Sequence, residues 1–450
     1  MTLSEIFADF ICEDRPLPPG AEALCKRSIL DTVGAMVLGG RTPVVQRAAR
    51  LLRAPGGATA VGVGPGLAAR DAAFLNGLAG HELELDDTSS SNLGHPTAAV
   101  LPTVLALGEE LGSSGAQVLR AFAIATEVEC KLGRVCARAL HRRGWHASSV
   151  TGVVGAAAGA ARLLNLDRAA AVCALGLAAS MASGVRENFG TSAKSVHIGK
   201  CAADGVLAAL LAREGFTASP SALDGAEGYL YEYTGERFGP FGQDFADTLG
   251  RDYDVCSPGF AIKQYPSCSS THRAVDAFAD LVREHGFTAG EVERVEFGLS
   301  QSALRELVTP DPKTGDEAKF SIGFQAALLL LGIDNMPASY RPELIFRPDV
   351  QRIIHCVTMY NESRYDDLPV DMGVGPAFVR VSLTGGRVLE RERIYPVGHL
   401  TDPIPDGALK EKFMKCALGP LGTERAQALY AALAGLGRAG CIRAVMALTI

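Results

Sequence analysis

Thr151–Leu166 reads TGVVGAAAGAARLLNL, and after one Asp-Arg pair Ala169–Gly184 reads AAAVCALGLAASMASG. Both segments are rich in Ala and Gly, and neither confines its apolar residues to one stripe. A helix that is apolar all round is buried, in a large core or in a membrane. Arg162, Asp167 and Arg168 interrupt the run, so it makes a poor membrane span of about 20 apolar residues. The stretch predicts a pair of buried helices whose small faces let neighbouring axes approach closely.

Working outward, AEALCKRSILDTVGAMVLGG (21–40) places Leu24, Ile29, Val33 and Val37 near helical spacing and ends in a Gly pair suited to a C-cap. AAVLPTVLALGEELG (98–112) and SGAQVLRAFAIATEVECKLG (114–133) follow the same logic. Residues 1–264 are therefore expected to form a large all-helical domain. The texture changes after about 265. VERVEFGLS (292–300) alternates like a strand, and FVRVSLTGGRVLERERI (378–394) is two alternating runs joined by Gly385-Gly386, a hairpin signal. Helices are expected at THRAVDAFADLVREHG (271–286) and EAKFSIGFQAALLLLG (317–332). Residues 265–399 thus predict a smaller α+β unit. The tail 400–450, with DGALKEKFMKCALG and AQALYAALAGLG, predicts helices that return to the first domain.

At 450 residues the chain is too long for one ordinary core. Hydrophobic residues make up 48% and charged ones 21%, with a net charge of -7, which suits a soluble globular protein. No Lys/Arg run suggests nucleic-acid binding, and no membrane association is expected. The eleven cysteines are scattered without a CxxC, which reads as reduced thiols in a cytoplasmic compartment. The acidic N-terminus lacks the apolar core of a secretory signal.

Chemistry concentrates in HELELDDTSSSNLGHP (81–96), with four carboxylates and two histidines. His81 and His95 lie there; His146 follows in RRGWHASSVTG, His197 in TSAKSVHIGK and His272 in KQYPSCSSTHRAVD, the last two segments also carrying Lys194 and Lys263. A zincin reading fails because HExxH needs a His where Leu85 stands. An Asp-rich terpene-synthase-like helix fails because Asp87 is followed by Thr-Ser-Ser-Ser. Metal-free acid–base chemistry remains, in which a carboxylate orients an imidazole, others move protons and lysines hold an anion. Taken alone, the segment reads most plainly as a helix end with solvated acids. GVGPG (62–66) lacks GxGxxG, and neither a P-loop nor GxSxG occurs.

The pieces in order resemble the MmgE/PrpD family: RSILDTVGAMVLGG, ATAVGVGPGLAARDAAFLNGLAGHELELDDT leading to GHP, GWHASSVTGVVGAAAGAARLLNL, GTSAKSVHIGKCAADGVLAALLAREGFTA, IKQYPSCSSTH, AKFSIGFQAALLLL and DPIPDGALKEKF. The resemblance implies a mainly α homodimer, each subunit pairing a large helical domain with an α+β lid. It implies no metal or organic cofactor and a small di- or tricarboxylate substrate. The shared step is a carbanion made or quenched beside a carboxylate. The site of the decarboxylase branch carries over onto Glu84, Thr88, His95, His146 and Lys194, with Asp86 and Asp87 completing the motif and Lys263 supplying a lid cation. Cys268 stands where that branch has a His, and Phe324 where it has a Tyr hydroxyl. These departures argue against cis-aconitate decarboxylation. The expected activity is a cofactor-independent hydro-lyase of the 2-methylcitrate dehydratase kind. Epimerisation of an iminodisuccinate-like substrate, decarboxylation, and a non-catalytic helical dimer binding a carboxylate are the alternatives. His95 and His146 are the expected acid and base, oriented by Glu84 or Asp87, with Trp145 walling the pocket beside His146. Lys194, with Lys263 and His197, is expected to hold the anion, and Cys268 and His272 complete the candidate set.

Overall fold

The computed structural model describes residues 1–368 and 375–450. The chain opens with α1 (Leu3–Cys12), α2 (Pro19–Gly39), α3 (Pro43–Ala48), α4 (Ala69–Glu82), α5 (Pro96–Leu111), α6 (Gly115–Arg142), α7 (Ala147–Leu163), α8 (Arg168–Met181) and α9 (Ala193–Arg213). Local chemistry fixes several starts. Ser114 and Gln117 form a capping box at α6, and Asp167 caps α8 by accepting from Ala170 N at 2.9 Å.

Every residue of α7 except Arg162 is buried, as an all-round apolar helix requires. α8 differs: it buries one face against α1, α7 and α9 and leaves Arg168, Ala169 and Ser180 outside. Small residues set the spacing of the bundle. A Cβ on Gly77 of α4 would come within 2.9 Å of Gly199 Cα on α9, and one on Gly199 within 2.6 Å of Phe74 O. α9 is long and apolar enough to cross a membrane by length and composition, yet 67% of its most apolar window is buried inside the bundle.

The first 264 residues are not wholly helical. β1 (Pro55–Ala60) and β2 (Gly64–Leu67) form an antiparallel ribbon. Gly62 at φ 70° permits the turn between its strands, and Glu109 of α5 anchors it through Thr59 N at 2.7 Å and Thr59 Oγ1 at 2.8 Å.

The lid holds β3 (Val292–Leu299), β4 (Val357–Asn361), β5 (Ala377–Leu383) and β6 (Val388–Arg393) in the order β4-β3-β5-β6. β3 and β4 are parallel, and the other pairs antiparallel. Helix Ser269–His285 packs on β5 and β6, and its Phe278 meets Phe297 of β3 edge-on at 6.1 Å. The helix expected over 317–332 is broken: Gly315–Ala318 and Ile322–Leu330 are separate, because Ser321 turns the chain and caps the second piece. Helices Asp406–Leu421 and Thr423–Ala434 lie against α2, with Leu409, Phe413, Leu429 and Leu433 in the bundle core. Where the chain enters and leaves the lid, Ile262 N donates to Gly398 O at 3.0 Å.

Candidate active site

Three helix N-termini converge beside the end of α4. His95 is the N-cap residue of α5, His146 that of α7, and Lys194 lies in the first turn of α9. Unpaired N–H groups make such ends partly positive, which favours anions. Glu84, two residues beyond α4, holds φ 53°, a left-handed conformation uncommon outside glycine.

His81 is the residue sequence reasoning noticed but left out of the site. Its ring lies 4.5 Å from that of His95 and 5.7 Å from that of His146. Asp86, not Glu84 or Asp87, orients the imidazoles: its Oδ2 is 2.9 Å from His81 Nδ1 and 3.0 Å from His95 Nδ1. Beyond this group, His146 Nδ1 meets His197 Nδ1 at 3.3 Å, and Phe189 stands edge-on to His146 at 5.0 Å.

Glu84 belongs to the lysines. One carboxylate oxygen pairs with Lys194 Nζ, and the other lies 3.0 Å from Lys263 Nζ. Lys194 Nζ also sits over Phe189 at 5.1 Å and over Phe320 of the lid at 5.6 Å. Glu84, Lys194 and Lys263 are only 3%, 5% and 2% exposed, so the ion cluster is sealed from bulk water. A cavity of about 20 Å³ bounded by His81, Glu82, Glu84, Thr191, Lys194 and Phe320 adjoins it, room for about one water. Across Lys263 lies a second cavity of about 60 Å³, lined by Thr88, Ser90, Ser269, His272 and Arg273 among others.

Burial and then Lys194 hold His81 neutral, down to about 4. The same two causes, in that order, depress His146 and His197. Burial would raise Glu84, but Lys194 and Lys263 overrule it and keep the carboxyl well below its usual range. Burial would likewise raise Asp86, and its contacts with His95 and His81 hold it ionised. A neutral His81 that donates Nδ1–H to Asp86 carries its lone pair on Nε2. Among the described residues that atom has no hydrogen-bond partner; the nearest carboxylate oxygen, on Glu84, is 3.9 Å away. The set is poised to take a proton beside two cations. The donor atoms of His81, Asp86 and His95 fall within 4.8 Å of one another, a spacing that a metal ion tolerates. Asp86 Oδ2 already takes the hydrogen bond of His81 Nδ1, and His95 Nδ1 lies 3.0 Å from the same oxygen.

Other expected members lie outside the group of histidines held by Asp86. Asp87 faces away and accepts from Thr97 N at 3.3 Å and Thr97 Oγ1 at 2.6 Å, so it braces the start of α5. Thr88 exchanges backbone hydrogen bonds with Ala261 and lines the second cavity. Cys268 is the N-cap residue of helix Ser269–His285, with Sγ 3.5 Å from Glu306 Oε2; burial and Glu306 push the thiol up to about 12. His272 also lines the second cavity, with Nε2 3.3 Å from Ser267 O. Phe324 is fully buried in a separate lid cluster and stacks edge-on with Tyr340 at 5.4 Å, so its lack of a hydroxyl says nothing about the site. Trp145 packs on Tyr233 at 5.1 Å instead of walling the cavity. The lid adds two contacts that the sequence did not suggest: Lys319 Nζ to Glu82 O at 2.7 Å, and Glu306 Oε1 to His141 Nε2 at 2.7 Å.

Residues 5–239 match the model of the MmgE/PrpD N-terminal domain, and residues 265–436 that of the MmgE/PrpD C-terminal domain. A cis-aconitate decarboxylase of Homo sapiens is 30% identical over 420 residues, 90% of this chain and 85% of that protein. One from Mus musculus is 28% identical over 431 residues, 92% of this chain and 86% of its own. One from Aspergillus terreus is 24% identical over 446 residues, 94% and 90% of the two chains. With two matching domain models that together run from the first helix to the C-terminal helices, the chain belongs to the MmgE/PrpD family.

Proposed function

We propose that the chain is a lyase acting on a small di- or tricarboxylate through a carbanion beside a carboxylate, and that the net reaction is dehydration of a 2-methylcitrate-like hydroxy acid. The observation that carries this reading is the unpartnered Nε2 of His81, on a ring whose Nδ1 meets Asp86, next to Glu84 and the two lysines that Glu84 bridges. An α-proton leaves only when a base waits at the carbon and cations stabilise the charge that develops on the adjacent carboxylate. His81, braced by Asp86, supplies the base, with His95 sharing the same brace. Lys194 and Lys263 supply the cations.

Decarboxylation of cis-aconitate is the second reading, favoured by the names of the relatives. It differs in proton demand. Loss of carbon dioxide generates the carbanion without a base, and the enzyme must then deliver a proton. Dehydration instead needs a base at the carbon, and the unpartnered Nε2 of His81, on a ring oriented by Asp86, is placed for that role.

The test is incubation with 2-methylcitrate, citrate, cis-aconitate and iminodisuccinate in deuterium oxide, followed by NMR. Loss of water from a hydroxy acid, with deuterium entering its α-position on reversal, is the expected result. Itaconate from cis-aconitate would replace dehydration by the second reading. Exchange without net loss would indicate an epimerase. Silence across the panel would favour a binding protein.

A further inference from the structure

Glu84 presents a problem of charge. Around the cavity, two buried cations, Lys194 and Lys263, face two buried carboxylates, Glu84 and Asp86. His81, His146 and His197 are held neutral by burial and by Lys194. At the two lysines a substrate carboxylate therefore meets charge already matched by Glu84, and leaving either charge buried and unpaired is expensive. It also meets no room, since the adjoining cavity holds about one water. Glu84 occupies the place that suits a ligand carboxylate, with one oxygen on each lysine. Its contact with Lys263 also stands between the cavity at His81 and the larger one at Thr88 and His272.

We propose that Glu84 is a stand-in for substrate: a substrate carboxylate replaces it between Lys194 and Lys263, and the displaced side chain takes up a proton that it then gives to the leaving group. This rests on the lyase reading above. The groups facing Glu84 are His81 on α4, Lys194 on α9 and Lys263 at the base of the lid, with His95, Glu82 and Cys268 nearby. Once the lysines belong to the ligand, burial acts on Glu84 without opposition and favours the neutral carboxyl. In the dehydration, His81 Nε2 removes the α-proton and the C–H electrons form the double bond. The C–O bond breaks, and the departing hydroxide takes the Glu84 proton and leaves as water. Glu84 ends as a carboxylate, ready to reclaim the lysines as product departs, and the imidazolium returns its proton to solvent. Displacement also joins the two cavities, which gives a second carboxylate its place.

The test is titration calorimetry of the intact protein at pH 7.5 with two unreactive probes, propane-1,2,3-tricarboxylate and glutarate, in buffers of different ionisation enthalpy. The expected result is uptake of about one proton per site on binding, the linkage of a single group whose protonation differs between free and bound states. Glu84→Gln is expected to bind the probes at least as well, since an amide competes less for the lysines. It should show no proton uptake and lose on the order of 10²–10⁴ in kcat, the span for a positioned acid. Wild-type binding without proton uptake would overturn the proposal and leave the lyase reading intact, whatever the variant does. Uptake that persists in Glu84→Gln would assign the proton to another group and overturn it too. Failure of both probes to bind would remove the carboxylate reading itself.

Discussion

Asp86 and Asp87 are neighbours in sequence with opposite duties. Asp86 holds two imidazoles through one oxygen, whereas Asp87 reaches Thr97 at the start of α5. Asp86→Asn is expected to lower kcat by about 10²–10⁴, because the base loses its orienting anion, and to leave the fold intact by circular dichroism. Asp87→Asn should keep kcat within a fewfold. Burial raises Asp87 to about 7 from an ordinary 3.8, so between those values the folded protein holds a proton that the unfolded chain has released. Its contribution is therefore complete below about pH 4 and is lost as pH rises through 7. Asn resembles the protonated acid, so Asp87→Asn should flatten the pH dependence of the denaturant midpoint across that window. Equal kinetic losses in the two variants would contradict the division. The sequence showed the Asp pair but not which member faces the histidines, because the turn at Glu84 sets their directions and its left-handed φ leaves no mark in composition.

Helices were legible where periodicity or capping signals spoke, and less so where glycine acts through space. The helix pair at 147–181 and the hairpin at Gly385-Gly386 stand close to their expected places, though only α7 is buried all round. The β1–β2 ribbon went unread because PGGATA has no alternation, and the break before Ile322 because a single Ser cap is a weak signal in an apolar run. The convergence of α5, α7 and α9 on the site was hidden for the same reason: GHP, GWH and TSAK reveal helix starts, not that three starts meet. The α4–α9 crossing that aligns His81 with Lys194 depends on Gly77 and Gly199. Gly199→Ala places a Cβ 2.6 Å from Phe74 O, where backbone must shift, and overpacking of this kind costs about 1–3 kcal/mol. Thermal unfolding should register a clear fall in Tm, along with a lower kcat from the moved lysine. A Tm unchanged within error would mean that the crossing is looser than described.

Across the whole molecule, the bundle core runs from α1 to the C-terminal helices, and the lid keeps its own cores around Phe278 and Phe297 and around Phe324 and Ile353. The division into helical and α+β parts could be read from the change of texture near 265. The ties across the interface could not, because Lys319 with Glu82 and Glu306 with His141 are pairings over long sequence separation. The hydrogen bond between Ile262 and Gly398 has a bearing on ancestry and engineering. An insert whose two ends touch can be exchanged without re-threading its host, as domain insertions at closely spaced termini generally allow. Replacing residues 263–397 by a short Gly-Ser bridge should yield a helical host that unfolds cooperatively in denaturant but turns over no substrate. A molten, non-cooperative product would show that host and insert fold only as one. Lys263 sits one residue beyond this seam, so a transplanted lid from a relative would arrive with its own setting for that cation. Family members could in this way trade specificity by exchanging a cassette, and substrate range would then track the lid's lineage rather than the bundle's.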